Sequence, residues 1–319
     1  MRVRLGILTR LIAVTLLTSL ASTVALASAA VSPPPVYVVL FTHIEDNTPS
    51  GALGSAISRA SYDEWRSALL AMGTLSRTYN MTWVLQPDYT FLLAAQRYED
   101  AATMASTGGK NVLKYLLDDK AVVIDAHSHE HGGYNYSDVA YLLTLLGVGG
   151  TTVIGGHIWD PSLPEFAHWD RFRRPVGGQT YKKFRWRGDI LMGAGTPNHT
   201  NDPVVSGVWR PQDKDHYFDD DPAGNIVSIG AYTKDIAGLT KLSGLYRSGA
   251  VAPTFMLTSS IHLTPGNVKT AASRAALEAS TLAPLRVLRT SGVVEITDFT
   301  RLVSVWQRRF GGRAFVHRE

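Results

Sequence analysis

The stretch VVIDAHSHEHGGYN, residues 122–135, places His127, His129 and His131 within five positions of one another, in a chain with ten histidines in all and no cysteine. Imidazoles at that density are candidate nitrogen donors for a divalent cation. Without thiolates, any metal site here has to be built from His, Asp and Glu. If the backbone coils after Ser128, His127 and His131 are four residues apart and share one side of the turn. If it stays extended, all three imidazoles share a face. Either path gathers two nitrogen donors, and one carboxylate from a neighbouring strand would complete an N,N,O set with positions left open for water and substrate.

The acids nearest by topology are Glu45 and Asp46, at the end of the first apolar run. Two adjacent carboxylates can divide the work. One holds the ion, and the other takes a proton from a water that the ion has made acidic. A proton donor for the leaving group is still needed, and His262 stands at the end of a later strand on the same face. Such a set suits hydrolysis of an amide or ester. His129, His157 and His199 are read as supporting or groove-lining residues.

The elements that must position these side chains are legible as short apolar runs. They are Val36–Phe41, Met81–Leu85, Ala121–Ile124, Thr151–Ile154, Ile190–Met192, Asn225–Ile229, Thr254–Leu257 and Val293–Ile296. Continuous rather than alternating hydrophobicity suits parallel strands buried on both faces. Helical patterns lie between several of them. Ser61-Tyr62-Asp63-Glu64 reads as a capping box opening one helix, and Ser137–Leu146, closed by Gly147, reads as a second. Strand–helix alternation predicts an α/β fold, a (β/α) barrel of seven or eight strands with room for distortion. Residues 161–188 and 198–224 are long and weakly patterned, as groove-shaping loops are. Polar residues follow strand after strand: THIED, QPD, the histidine cluster, GGHIWD, GAGTPNHTND and SSIH. They collect at the carboxyl ends, where barrel sites form.

Residues 1–29 read as a secretory signal peptide, with Arg2 and Arg4 before a short apolar stretch and small residues at Ala27-Ser28-Ala29. Residues 30–35 form a Pro-rich link, 36–306 a single barrel domain and 307–319 a basic tail. The expectation is a protein secreted to the cell exterior, periplasm or envelope, with no membrane span in the mature chain. The formal net charge of +4 falls to +1 once Arg2, Arg4 and Arg10 leave with the leader. So near-neutral a balance gives no reason to expect nucleic acid as a partner.

In order and spacing, His43-Ile44-Glu45-Asp46, His127-Ser128-His129-Glu130-His131 and Ser260-Ile261-His262 resemble the T-F-D-D, H-[ST]-x-x-H and L-x-H motifs of the polysaccharide deacetylase (NodB-homology, carbohydrate esterase family 4) superfamily. The resemblance spans most of the mature chain and rests chiefly on the second motif. It implies the glycoside hydrolase/deacetylase type of barrel, a divalent metal with zinc first, and an acetylated glycan as substrate. Carried over by position, it makes Glu45 the base, Asp46, His127 and His131 the metal ligands, and His262 the acid. The pattern is divergent. Glu45 stands where the family has Asp, and the literal match to the family's R-x-P-x-G motif, at Arg173-Arg174-Pro175-Val176-Gly177, falls well after the fourth strand. Asp125-Ala126-His127-Ser128-His129 also resembles the D-x-H-x-H of amidohydrolases and PHP-type phosphoesterases, which place it after their first strand. A carbohydrate-binding barrel that has lost its metal or base is the non-enzymatic alternative.

Overall fold

β1 (Val36–Ile44) carries VYVVLFTHI with every residue buried, and its two faces serve different cores. Val36, Val38 and Leu40 pack outward under the helices. Tyr37, Val39 and Phe41 join an inner cluster with Val84, Val153, Ile190, Met192 and Ile229. Period-two alternation therefore runs through a strand whose hydrophobicity looks unbroken. The structure is a computed structural model and describes residues 32–319 apart from 46, 131, 157–167, 193–201 and 233–234.

The strands that follow are β2 (Trp83–Pro87), β3 (Val123–Ile124), β4 (Ala126–His127), β5 (Val153–Gly155), β6 (Val176–Gly177), β7 (Arg185–Trp186) and β8 (Ile190–Leu191). Then come β9 (Val205–Trp209), β10 (Val227–Ile229), β11 (Thr258–His262), β12 (Val294–Thr297) and β13 (Phe315–Arg318). Between them lie α1 (Ala56–Thr78), α2 (Tyr89–Tyr98), α3 (Ala101–Met104), α4 (Val112–Lys120), α5 (Tyr136–Leu145) and α6 (Ile236–Arg247). The last four are α7 (Pro265–Lys269), α8 (Ala271–Leu277), α9 (Ala283–Thr290) and α10 (Phe299–Phe310). Among the described residues no helix is long and apolar enough to cross a membrane.

β1 pairs in parallel with β2, β11 and β12. β2 pairs with β3, the chain breaks at Asp125, whose N–H bonds Leu85 O at 3.0 Å, and β4 resumes beside β5. β5, β8 and β10 continue the parallel series. Seven of the eight expected runs hold a strand and the other lies just before one, and the fold is a distorted (β/α) barrel. Backbone pairing does not close the ring among the described residues. Side-chain hydroxyls link β11 to β9 and β10 instead. Gly207 N donates to Thr258 Oγ1 at 2.8 Å, Thr258 Oγ1 lies 2.8 Å from Gly230 O, and Ser206 Oγ donates to Thr258 O at 2.8 Å.

Several expectations are corrected. The seventh strand is Thr258–His262, not Thr254–Leu257. Pro253 introduces a turn in which Phe255 N bonds Ala252 O at 3.1 Å, and the polar TSSIH forms the strand because its hydroxyls have partners. The first helix begins at Ala56, capped by Ser55, whose Oγ accepts from Ser58 N. Ser61 lies inside that helix, where its hydroxyl accepts from Ser50 N at 3.1 Å. α5 begins one residue before its expected start, with Asn135 and Asp138 forming its capping box. Residues 161–188 hold the antiparallel β6–β7 hairpin, and residues 198–224 hold β9, antiparallel to β10.

The basic tail is also folded. Its first residues complete α10, and β13 pairs antiparallel with β9. Asp298 caps α10 by accepting from Arg301 N, and Phe299, Leu302, Trp306 and Phe310 enter the inner cluster. Trp306 is 1% exposed, donates from Nε1 to Arg313 O at 2.8 Å and lies under the Arg210 guanidinium. The arginines of the segment project outward while its apolar side chains supply core. Trp306→Ala is therefore expected to cost about 3–5 kcal/mol in denaturant unfolding. A loss below about 0.5 kcal/mol is what a solvated tail would give.

Candidate metal centre

His43 and Glu45 lie two apart at the end of β1, continuing the inward-facing series Tyr37, Val39, Phe41. Beside them, β2 carries Gln86, in register with His43. His127 ends β4 in register with Gly155, and His262 ends β11 in register with Phe41. Four separate strand ends thus deliver the inner polar layer, at the carboxyl face.

The Glu45 carboxylate is the hub. Its Oε2 lies 3.3 Å from His127 Nε2 and 3.0 Å from His129 Nε2. Its Oε1 is 3.9 Å from His43 Nδ1. The His43 and His127 rings are 4.1 Å apart, and His262 lies 5.0 Å from His43 while stacking on Phe41 at 4.9 Å. One ligand atom each from His43, Glu45 and His127 all fall within 4.8 Å of one another.

Burial keeps His43 neutral. Its pKa is held well below the usual imidazole range by desolvation first, then by the neighbouring His127 and His262. Burial pushes the Glu45 carboxyl upward, but the hydrogen bonds from His127 and His129 together outweigh it, so the carboxyl titrates well below the ordinary range. A neutral imidazole and an ionised carboxylate are the protonation states a metal ligand set requires. The fully buried His43 Nε2 also has no hydrogen-bond partner among the described residues, and such an atom calls for a partner of another kind. The donor chemistry and the orphaned nitrogen together fit a divalent cation.

The backbone makes room for this arrangement. A Cβ on Gly155 would sit 2.5 Å from Gln86 Cδ, and one on Gly156 would overlap the His127 ring. Gly156 also has φ of +69°. The paired glycines of GGHIWD therefore let the fourth strand end press against Gln86 and His127. Glu130 has φ of +57°, a conformation that costs a non-glycine residue about 1–2 kcal/mol. The chain after His129 is thus neither the continuous coil nor the extended run considered from the sequence.

Of the residues singled out in the sequence, Glu45, His127, His129 and His262 come together. Asp46, His131, His157 and His199 lie outside the described residues. Arg173 does not join the cluster. Its guanidinium donates to Pro211 O and Gln212 O, both at 2.9 Å, and lies over Trp169, so the R-x-P-x-G match holds two loops together. Glu45, expected as the base, has its carboxylate engaged by the two imidazoles of His127 and His129. His43 joins the cluster without having been among the candidate residues, and its two-residue spacing from inward-facing Phe41 and from Glu45 is the signal that marks it.

No protein-family model matches the sequence, and comparison with curated proteins returns no relative. Solved structures similar to the chain include the following two. One is a probable polysaccharide deacetylase from Pseudomonas aeruginosa PAO1, at 13% identity and a TM-score of 0.47, over 86% of this chain and 91% of that one. The other is PuuE allantoinase, at 13% identity and a TM-score of 0.47, over 85% and 90%.

Two substitutions test the centre's surroundings. Gly156→Ala is expected to displace the His127 ring and lower stability by about 2 kcal/mol or more in thermal unfolding; an unchanged melting temperature would contradict the contact. Asp125 is fully buried, and burial pushes its carboxyl up to about 7 against the opposing influence of nearby Thr151 and Gln86. The unfolded carboxyl loses its proton near pH 4. The folded protein is therefore expected to lose stability as pH rises from about 4 to about 7 and to level off above that. Asp125→Asn should remove this limb and stabilise the protein at pH 8 by up to about 4 kcal/mol, measured by urea unfolding at pH 4 and pH 8. An equal effect at both would count against it.

Proposed function

We propose that the protein is a secreted, metal-dependent hydrolase that removes acyl groups, acetyl first among them, from a carbohydrate. The observation that carries this reading is the triad of His43, Glu45 and His127 ligand atoms within 4.8 Å of one another, on the barrel face where catalysis is built. The H-S-x-x-H pattern supports the deacetylase assignment, and the basic–apolar–small pattern of residues 1–29 supports export. His43, Glu45 and His127 would hold the ion, with zinc favoured by two imidazoles and one carboxylate. Asp46 and His131 remain proposed ligands through their positions in the motifs.

Held by these residues, a divalent cation would supply Lewis acidity, polarising an acyl carbonyl and lowering the pKa of water towards neutrality. The chain supplies the proton transfers. With Glu45 engaged by two imidazoles, the base's part passes to His129, whose ring the same carboxylate orients, much as a carboxylate orients the histidine of a hydrolytic triad. His129 takes the proton from the attacking water as its oxygen bonds the acyl carbon. His262, stacked on Phe41, gives a proton to the departing sugar nitrogen or oxygen as the acyl bond breaks. Acetate and the deacylated sugar are the products.

The test combines elemental analysis of protein purified without added metal with acetate release from acetylated oligosaccharides. Stoichiometric zinc is expected in the wild type, with both zinc and turnover lost in His43→Ala and His127→Ala. His129→Gln is expected to keep the metal and lose about 10²–10⁴-fold in kcat. Full metal content in His43→Ala would refute the ligand set. Glycan binding with neither metal nor acetate release would favour the non-enzymatic barrel. Several ions per chain with phosphate-ester hydrolysis would favour a PHP-type enzyme.

A further inference from the structure

The geometry points to Arg171 and Glu130 as positioning residues that hold His129 against Glu45. Arg171 lies in the 3-10 turn His168–Arg173, two residues before the arginine that matches the sequence motif, and it reaches the histidine loop where Arg173 does not. Its guanidinium is fixed on three sides. Nη2 pairs with Glu130 Oε2 at 2.6 Å, Nη1 donates to His168 O, and Cζ lies 4.3 Å over the buried Phe172 ring.

Glu130 is held equally firmly. Its N–H donates to Ser128 Oγ at 2.9 Å, and its Oε1 lies 3.5 Å from Tyr136 N at the start of α5. The left-handed backbone at Glu130 turns the chain immediately after His129, whose Nε2 meets Glu45 Oε2 at 3.0 Å. A glutamate gains nothing intrinsic from that backbone region, and strain of this kind persists where surrounding contacts over-determine it. The Arg171 pair is such a contact. With the pair in place, consecutive side chains diverge: Glu130 is drawn to Arg171 and His129 to the metal centre. Without it, the turn is free to relax and carry His129 off Glu45.

The kinetic arm of the test rests on the role given to His129 above; the spectroscopic arm does not. In the wild type, the His129 ring N–H is expected to give a hydrogen-bonded imidazole signal in NMR spectra of isotope-labelled protein, assigned by its loss in His129→Gln. Arg171→Ala and Glu130→Gln should shift or broaden that signal while leaving the His127 ring signal in place. On an acetylated oligosaccharide, Arg171→Ala should keep full metal content and lose about 10–100-fold in kcat, with KM changed less than about threefold. In the His129→Gln background the same substitution should cost no more than about twofold, because the two residues act on one step. An undisturbed His129 signal in Arg171→Ala would overturn the inference whatever the activity. So would a kcat loss that persists undiminished in the His129→Gln background, since that marks a general structural role. An acetate-inactive wild type whose His129 signal still responds to Arg171→Ala would sink the hydrolase reading and leave this one standing.

Discussion

A single carboxylate shared by two imidazoles organises this end of the barrel. Glu45 Oε2 stands within hydrogen-bonding reach of both His127 and His129, with His43 buried alongside. Gathering three imidazoles around one partly buried carboxylate carries a desolvation cost, which at Glu45 the hydrogen bonds from His127 and His129 outweigh and which at buried His43 holds the ring neutral. A globular core gains little from such a group, whereas a cation centre requires it. The buried, neutral His43 with its orphaned Nε2 and the ionised Glu45 carboxylate are thus facets of one constraint.

The rest of the fold serves that constraint by bringing strand ends together. β1 supplies His43 and Glu45 from its inward series, and β4, set beside β5, supplies His127. The glycine pair after β5 removes the side chains that would collide with Gln86 and the His127 ring. Further down, α10 fills the inner cluster with Phe299, Leu302 and Trp306, so the polar layer rests on a packed hydrophobic base. Where backbone pairing lapses, between β11 and β9–β10, Thr258 and Ser206 carry the connection through their hydroxyls.

The parallel strands were legible because burial on both faces demands continuous hydrophobicity, and Val36–Phe41 or Ile190–Met192 admit few other readings. β11 was shifted by four residues because TSSIH is polar, and its hydroxyl partners are distant in sequence. β9 was missed because its antiparallel pairing departs from the alternation that guided the reading. α10 and β13 were concealed by arginines whose charges face solvent while their neighbours fill the core. In the site, the cluster of Glu45, His127, His129 and His262 follows from residue type and strand-end position. His43 is marked by the two-residue period of β1, a weaker signal than the adjacent acids Glu45 and Asp46. The roles of Gly156, Arg171 and Glu130 depend on backbone conformation and on long-range contacts, such as that between Arg171 and Glu130 41 residues apart, which composition and periodicity do not encode.

The most direct test is a crystal structure of the protein purified without added metal, with anomalous diffraction collected on both sides of the zinc absorption edge. The account predicts an anomalous peak bonded to His43, Glu45 and His127. A zinc peak bound elsewhere on the chain, or hydrogen-bonded Glu45 and His127 with no ion between them in catalytically active crystals, would contradict it.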